Sequence, residues 1–227
     1  MRLGLGAWIS VTSRSTEMAR VLDLYCGAGG AGHGYWLAGH SVLGVDLWPQ
    51  PEYPHPMIEA DALSFLKLGY LGSFDVIHAS PPCQASTALN KGTNGRARID
   101  LIGRTRAALV RAGLPWVIEG VRTAKLRTDL MLCGEMFKLG VLRHRMFELG
   151  GGLQIEQPEH PPHRGRVQGY RHGVWVDGPY LQGYGRGGGK PDAAQLGEAM
   201  GIDWITDLGT LTQAIPPEYT RWIGERL

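Results

Sequence analysis

Cysteine is scarce in this chain. The 227 residues contain three cysteines, Cys26, Cys83 and Cys133, and their spacing shows no pairs. An odd count without paired spacing argues against a disulfide framework and favours a reducing compartment.

Long apolar runs and a strong charge imbalance are also missing. No run approaches the length of a membrane-spanning helix, and residues 1–9 are too short and too interrupted by glycine for a signal peptide. The formal net charge is only +2, so charge alone does not indicate a nucleic-acid partner.

What the chain does contain is apolar residues and glycine. Hydrophobic residues make up 43% of the sequence, and there are 34 glycines and 14 prolines. This length and composition predict one packed domain, or one domain with a small appendage, and many tight turns.

The first strong pattern is a strand, a glycine turn and a helix. Residues 20–25 are predicted to form a first buried strand, residues 26–32 are rich in glycine, and a helix is predicted through about Leu37. This order is typical of a nucleotide-binding α/β unit, in which glycine lets the backbone turn sharply and a ligand come close. The spacing also satisfies G-x-G-x-x-G, which fits a nicotinamide dinucleotide as well as S-adenosylmethionine.

Two acids follow at the ends of the next units. Asp46 closes a second predicted strand, where an acid suits the hydroxyls of a ribose, and Leu47 and Trp48 suit a flat adenine. Trp48 could equally be an ordinary edge aromatic. Asp61 could accept a hydrogen bond from the adenine amino group or cap the helix predicted from Ala62.

A cysteine stands behind a rigid turn. The predicted strand 74–79 stops at Pro81 and Pro82, which cannot continue a ladder, and Cys83 follows directly. In open α/β folds the carboxyl edge of the sheet binds ligands, so Cys83 is placed as a nucleophile; the alternative is a buried structural cysteine. A further strand, 116–118, brings Glu119 to the same edge.

The rest of the chain supplies basic residues. Residues 141–149 alternate like a strand with Arg143 and Arg145 on one face, which suits contact with an anion or a base. Residues 150–190 are loop-rich, and their arginines and tyrosines suit phosphates and stacked bases, or else form a plain glycine-rich surface loop. Since His160 and His163 lack an evident cysteine partner, no zinc site is expected.

Taken in order, these segments resemble the DNA (cytosine-5)-methyltransferases, as a small member of the kind that phages carry. The residues that carry the resemblance are Asp23-Leu-Tyr-Cys-Gly-Ala-Gly-Gly30, Val45-Asp-Leu-Trp48, Pro81-Pro-Cys-Gln84, Glu119-Gly-Val121, Arg143-His-Arg145, Gln195 to Trp204 and Thr212-Gln-Ala-Ile-Pro-Pro217. They occur in the order of that family over about residues 20–150 and 190–227.

The resemblance implies an α/β S-adenosylmethionine-dependent methyltransferase (Rossmann-like) fold, with a mostly parallel sheet, helices on both faces and a small loop-rich insertion. Its parts would be an N-terminal extension (1–19), a catalytic domain (20–150), a reduced target-recognition insertion (151–190) and returning C-terminal helices (191–227). The implied cofactor is S-adenosylmethionine and the implied partner is DNA. A cytoplasmic monomer in a bacterial or phage-infected cell is expected, without metal or membrane, in DNA methylation and restriction-modification.

The resemblance also implies roles for individual residues. The implied catalytic residues are Cys83, Glu119, Arg143 and Arg145. The implied cofactor-binding residues are Asp23, Tyr25, Cys26, Gly27, Ala28, Gly29, Gly30, Asp46, Leu47, Trp48, Asp61, Ala62, Pro81, Gln213 and Ala214. The implied substrate-binding residues are Pro82, Gln84, Ser86, Arg96 and Arg98.

Four departures from the family pattern leave alternatives open. Gly120 replaces the usual asparagine, Val141 replaces a glutamine, Gln213 replaces an asparagine, and the recognition region is short. The chain could therefore act on single-stranded nucleic acid or a free nucleotide. It could also be a degenerate methyltransferase-like module that only binds DNA.

Overall fold

The computed structural model describes residues 18–82, 101–183 and 190–227. Its strands are β1 (Arg20–Leu24), β2 (Ser41–Asp46), β3 (Met57–Glu59), β4 (Val76–Ala79), β5 (Trp116–Gly120), β6 (Leu130–Leu132), β7 (Arg145–Gly150), β8 (Gly169–Arg171) and β9 (Val174–Val176). Its α-helices are α1 (Gly30–Leu37), α2 (Ala62–Phe65), α3 (Leu101–Ala112), α4 (Ala193–Met200), α5 (Leu208–Leu211) and α6 (Pro217–Gly224). Short 3-10 helices cover Tyr70–Ser73 and Gly134–Phe137.

Seven of the strands form one mixed sheet in the order β3-β2-β1-β4-β5-β7-β6. The five strands from β3 to β5 are parallel, and β7 runs antiparallel between β5 and β6. The carboxyl ends of β1, β2, β4 and β5 therefore lie along one edge. The amino end of β7 reaches this same edge, because β7 runs in the opposite direction.

Alternate residues of the central strands supply two apolar cores. Val21, Val76 and Val117 pack on one face with residues of α1 and α6, whereas Leu22, Ile77 and Ile118 pack on the other with residues of α2 and α3. Successive side chains of a strand point to opposite faces, so a run that is apolar at every position is what a sheet covered on both sides requires. The predicted doubly covered sheet is confirmed.

Helices α1 and α6 approach each other closely at Gly34. A Cβ built on Gly34 would lie 2.0 Å from Thr220 Oγ1 and 2.1 Å from the carbonyl oxygen of Pro217. Thr220 Oγ1 also donates to the carbonyl oxygen of Ala31 at 2.7 Å. The small residue thus allows the C-terminal helix to lie directly against the first helix of the chain.

The segment after β7 is small and has few regular elements. Strands β8 and β9 pair as an antiparallel ribbon, and Val167 forms an isolated bridge with Tyr180. The Tyr180 ring is fully buried, and its hydroxyl donates to the carboxylate of Glu135, which follows β6. This contact holds the segment against the sheet domain.

Helices long and apolar enough to cross a bilayer are absent from the three described ranges.

One predicted strand begins later than expected. The alternating pattern of residues 141–149 predicts a strand that includes Arg143, but β7 starts at Arg145. Arg143 has a φ of 36°, in the left-handed region, which is incompatible with an extended strand. The prediction that Arg143 and Arg145 share one strand face is therefore wrong.

Candidate active site at the carboxyl edge of the sheet

The turn between β1 and α1 has an unusual backbone. Tyr25, Gly27 and Gly29 all have positive φ values, of 57°, 49° and 92°. A Cβ on Gly29 would lie 2.7 Å from Pro54 Cδ, and one on Gly30 would lie 2.3 Å from the carbonyl oxygen of Ile215. A Cβ on Gly27 would meet nothing within 4 Å. Gly29 and Gly30 therefore serve close packing, whereas Gly27 leaves open space at the turn.

Asp46 ties the second strand to this turn. Its carboxylate accepts hydrogen bonds from the Gly27 N–H at 3.0 Å and from the Trp48 N–H at 3.1 Å. Leu47 and Trp48 follow with 53% and 67% of their surface exposed. A carboxylate, an open glycine and two exposed apolar side chains thus lie together at one place on the edge.

Other predicted cofactor residues are used by the protein itself. Asp61 caps α2 by accepting from the Ser64 N–H at 2.8 Å, and Ala62 is buried. Asp23 is fully buried and accepts from the Tyr53 hydroxyl at 3.2 Å; burial raises the pKa of its carboxyl to about 7. Cys26 is buried, and burial also raises the pKa of its thiol.

The Ala28 region is supported from the C-terminal part of the chain. The Trp204 indole N–H donates to the carbonyl oxygen of Ala28 at 2.8 Å. Ala214 lies next to the turn, because a Cβ on Gly30 would be 3.3 Å from its side chain, while Gln213 is exposed. The structure therefore brings Ala214 of the last motif to the glycine turn.

A buried ion pair lies at the ends of β5 and β7. The Arg145 Nε is 2.8 Å from Glu119 Oε1, and the two side chains are 15% and 10% exposed. Burial raises the pKa of the Glu119 carboxyl, while the charges of Arg145 and Arg143 oppose that rise. A carboxyl of this kind retains a proton more readily than an exposed glutamate and can donate a hydrogen bond to a ligand.

Arg143 does not share this position. It is buried and donates to the carbonyl oxygens of Thr212 at 2.6 Å and Gly183 at 3.2 Å. Its own carbonyl oxygen accepts from the Tyr219 hydroxyl at 2.9 Å. These contacts join the loop before β7 to the C-terminal segment, two residues before Arg145.

The predicted nucleophile and the predicted substrate loop lie outside the described residues. These are Cys83, Gln84, Ser86, Arg96 and Arg98. Before them, the Ser80 N–H donates to the carbonyl oxygen of Leu24 at 3.1 Å, Pro81 is buried and Pro82 is exposed. Since Ala79 is the register partner of Ile118, the chain leaves β4 beside Glu119.

Two departures from the family pattern are packed positions. A Cβ on Gly120 would lie 2.8 Å from Leu126 Cδ1, so Leu126 occupies the space of a side chain there. Val141 is 1% exposed and belongs to the apolar cluster that contains Ala28. Both residues are accommodated by neighbours that fit them.

Tyr53 is a site residue that no sequence pattern predicts. This buried residue lies under the turn, where its ring or hydroxyl comes within 2.9 Å of the positions that a Cβ would take on Gly29, Gly32 and Gly44. Three glycines are thus needed around one ring. A tyrosine in a loop of prolines and acids has no pattern that predicts this contact.

The expectation that His160 and His163 lack a cysteine partner is wrong. Cys133 Sγ lies 3.6 Å from His163 Nε2, and His144 and His160 lie beside them. Cys133 itself is buried. The antiparallel pairing of β6 with β7 brings Cys133 to His144, and this pairing cannot be read from the spacing of the histidines.

The buried His78 side chain should make the stability of the protein fall as the pH is lowered. Its buried ring contacts the Tyr35 hydroxyl at 3.1 Å and Ser80 Oγ at 3.0 Å, and burial lowers its pKa from 6.5 to about 3. Below about pH 6.5 the unfolded chain takes up a proton here and the folded chain does not, so stability is full above that pH and falls toward pH 3. Between about pH 7 and pH 4, the free energy of unfolding measured in urea should fall by about 3 kcal/mol less for His78→Gln than for the unaltered chain. Parallel profiles for the two proteins would contradict this assignment.

Part of this sequence and its fold are similar to those of known methyltransferases. Protein-family models give no match to this chain. The chain is 26% identical over 209 residues to the type II methyltransferase M.AgeI of Thalassovita gelatinovora, covering 72% of this chain and 48% of that protein. It therefore spans about half the length of this relative.

A solved structure has a similar fold over nearly the whole chain. The Dnmt2 methyltransferase of S. pombe superposes with a TM-score of 0.55 at 14% identity, covering 91% of this chain and 97% of that one. The chain accordingly has the α/β fold of S-adenosylmethionine-dependent methyltransferases, with a mostly parallel seven-stranded sheet.

Proposed function

We propose that this chain transfers a methyl group from S-adenosylmethionine to carbon 5 of cytosine in DNA. The observation that carries the proposal is the buried Glu119–Arg145 pair. It lies at the same sheet edge as the glycine turn and as the Pro81–Pro82 turn that leads to Cys83. The match to a type II methyltransferase and the ordered motifs support this reaction class.

The cofactor is tested against the residues at the turn. An adenosine group would fit three features at this turn: the open space at Gly27, the carboxylate of Asp46 beside it, and the exposed side chains of Leu47 and Trp48. Asp46 would face the ribose and Trp48 the adenine. When bound there, S-adenosylmethionine supplies an electrophilic methyl group.

Cytosine carbon 5 needs activation before it can accept that methyl group. Attack of the Cys83 thiolate on carbon 6 forms a sulfur–carbon bond and moves the electron pair of the 5,6 double bond toward carbon 5. A neutral thiol is a poor nucleophile, so the site has to favour the thiolate. After methylation, loss of the carbon-5 proton and cleavage of the bond to Cys83 restore the aromatic ring and the thiolate.

Glu119 and Arg145 would stabilise the base during this attack. Charge develops at ring nitrogen 3 as carbon 6 is attacked, and Glu119 would stabilise it through a hydrogen bond to that nitrogen. Arg145, held at 2.8 Å from Glu119, would hold the base oxygen. Because these groups act on the ring edge, the base has to leave the stack or be single-stranded already.

The test is to identify the methylated nucleoside. The chain is incubated with S-adenosylmethionine carrying a labelled methyl group and with duplex DNA, single-stranded DNA or RNA; each polymer is then digested to nucleosides. We expect the label in 5-methyldeoxycytidine. Label in an exocyclic amino group of cytosine or adenine would contradict the proposed chemistry, and label in RNA alone would contradict the substrate.

A further inference from the structure

Four metal-binding side chains converge beside the candidate site, and we name them the Cys133 cluster: Cys133, His144, His160 and His163. One ligand atom from each lies within 4.8 Å of the others. Cys133 follows β6, His144 precedes β7, and the two other histidines belong to the segment after β7. The four residues therefore come from three separate parts of the chain.

The sheet explains half of this convergence. Leu132, the last residue of β6, is the register partner of Arg145, the first residue of β7. The residues one step beyond each, Cys133 and His144, are therefore neighbours. An ion pair between Arg164 and Glu135, at 3.0 Å, explains the other half. Arg164 directly follows His163, and Glu135 lies two residues after Cys133, so this pair holds His163 near Cys133.

The distances are close to those of a tetrahedral zinc site. Zinc bonds of about 2.3 Å to sulfur and about 2.0 Å to nitrogen place neighbouring ligand atoms roughly 3.3–3.6 Å apart. Cys133 Sγ and His163 Nε2 are already 3.6 Å apart. The ring centroids of the three histidines lie 5.0–5.5 Å from one another. Since no two ligand atoms are more than 4.8 Å apart, a shift of about 1.5 Å or less in the widest pair would complete the tetrahedron.

A metal-free cluster would leave one nitrogen unsatisfied. His160 Nε2 is buried and has no hydrogen-bond partner among the residues that the structure describes. A buried polar atom without a partner is unfavourable, because it has lost its hydrogen bonds to water. A bound cation removes this cost, and a hydrogen bond between Cys133 and His163 does not.

We propose that the Cys133 cluster binds one Zn²⁺ ion through Cys133, His144, His160 and His163. A thiolate and three imidazoles are a donor set that zinc favours. Four protein ligands fill the tetrahedron and leave no position for substrate, so the ion is structural. It fixes the segment after β7 to the loop that carries Arg143 and Arg145, whatever the substrate of the enzyme is.

The first test is the metal content of the full chain, produced without a histidine tag. Mass-spectrometric metal analysis is expected to give about one zinc per chain, falling to near zero in His163→Ala and His160→Ala. His163 is exposed, so its replacement should leave the core packed. His172→Asn is the matched control: this exposed histidine lies outside the cluster, and asparagine tolerates its φ of 50°.

The second test replaces zinc with cobalt, and its main readout is taken on the unaltered chain. Co²⁺ added to the stripped, unaltered chain should give the intense visible bands of tetrahedral cobalt and a thiolate-to-metal absorption, and Cys133→Ser should lose the latter. A chain that is purified without zinc and takes up neither Zn²⁺ nor Co²⁺ would overturn the proposal. Zinc content equal in His163→Ala and the unaltered chain would overturn it as well.

Discussion

The Glu119→Gln chain is expected to transfer methyl groups about 10²–10⁴-fold more slowly than the unaltered chain, with its fold intact. Glutamine keeps the size of the side chain but cannot take the role of a carboxyl that donates a proton to the base. Glu119 is buried at the carboxyl edge of the sheet and pairs with Arg145, so it lies where it would meet the ring edge of the base. The measurement is the single-turnover rate on duplex DNA, together with the thermal midpoint.

Glu148 provides a matched control for this change. It is also a buried glutamate in an ion pair, at 2.7 Å from Arg106, and it lies on β7 beside β5. Its partner belongs to α3, on the sheet face away from α1. Glu148→Gln should lower the thermal midpoint and leave the rate per folded molecule unchanged. Equal losses of rate in the two variants would show that Glu119 acts only through stability.

The second large effect is on stability. Gly34→Ala is expected to destabilise the protein by about 3 kcal/mol, because the added Cβ would lie 2.0 Å from Thr220 Oγ1 and 2.1 Å from the Pro217 carbonyl oxygen. Backbone atoms at the start of α6 cannot move aside as a flexible side chain would. In a chain of this size the thermal midpoint should fall by roughly 6–12 °C.

The control is a glycine on an open helix surface. Gly103 lies in α3, and a Cβ there would meet nothing within 4 Å. Gly103→Ala should therefore stabilise the protein by up to about 1 kcal/mol through helix propensity alone. Similar midpoints for Gly34→Ala and the unaltered chain would contradict the close packing of α1 on α6.

Much of the fold follows from local patterns. Largely apolar segments such as residues 20–24 and 116–118 predict buried parallel strands, and the structure has β1 and β5 there. The glycine turn is predicted because positive φ values and close approach both require glycine, as Gly27 and Gly29 show. The position of Glu119 at the carboxyl edge of the sheet could be predicted because this residue follows the predicted strand 116–118.

The remaining features depend on contacts between distant segments. Arg143 alternates with Arg145 in the sequence, but its backbone leaves the strand to reach Thr212, which is 69 residues away. The Cys133 cluster depends on an antiparallel pairing of β6 and β7 that no periodicity reports. Tyr53 lies under three glycines that are dispersed along the chain. Such contacts are set by the tertiary packing, so the sequence pattern alone could not predict them.

Covalent trapping on a fluorinated substrate shows most directly whether Cys83 attacks carbon 6 of cytosine. The chain is mixed with S-adenosylmethionine and duplex DNA that carries 5-fluorocytosine at its cytosine positions. Fluorine cannot leave carbon 5 as a proton does, so the enzyme should stall with Cys83 bound to carbon 6. We predict a denaturation-resistant adduct that maps to the Cys83 peptide and is lost in Cys83→Ala. An adduct that persists in Cys83→Ala, or methylated cytosine formed on ordinary DNA without any adduct on the fluorinated DNA, would contradict the account.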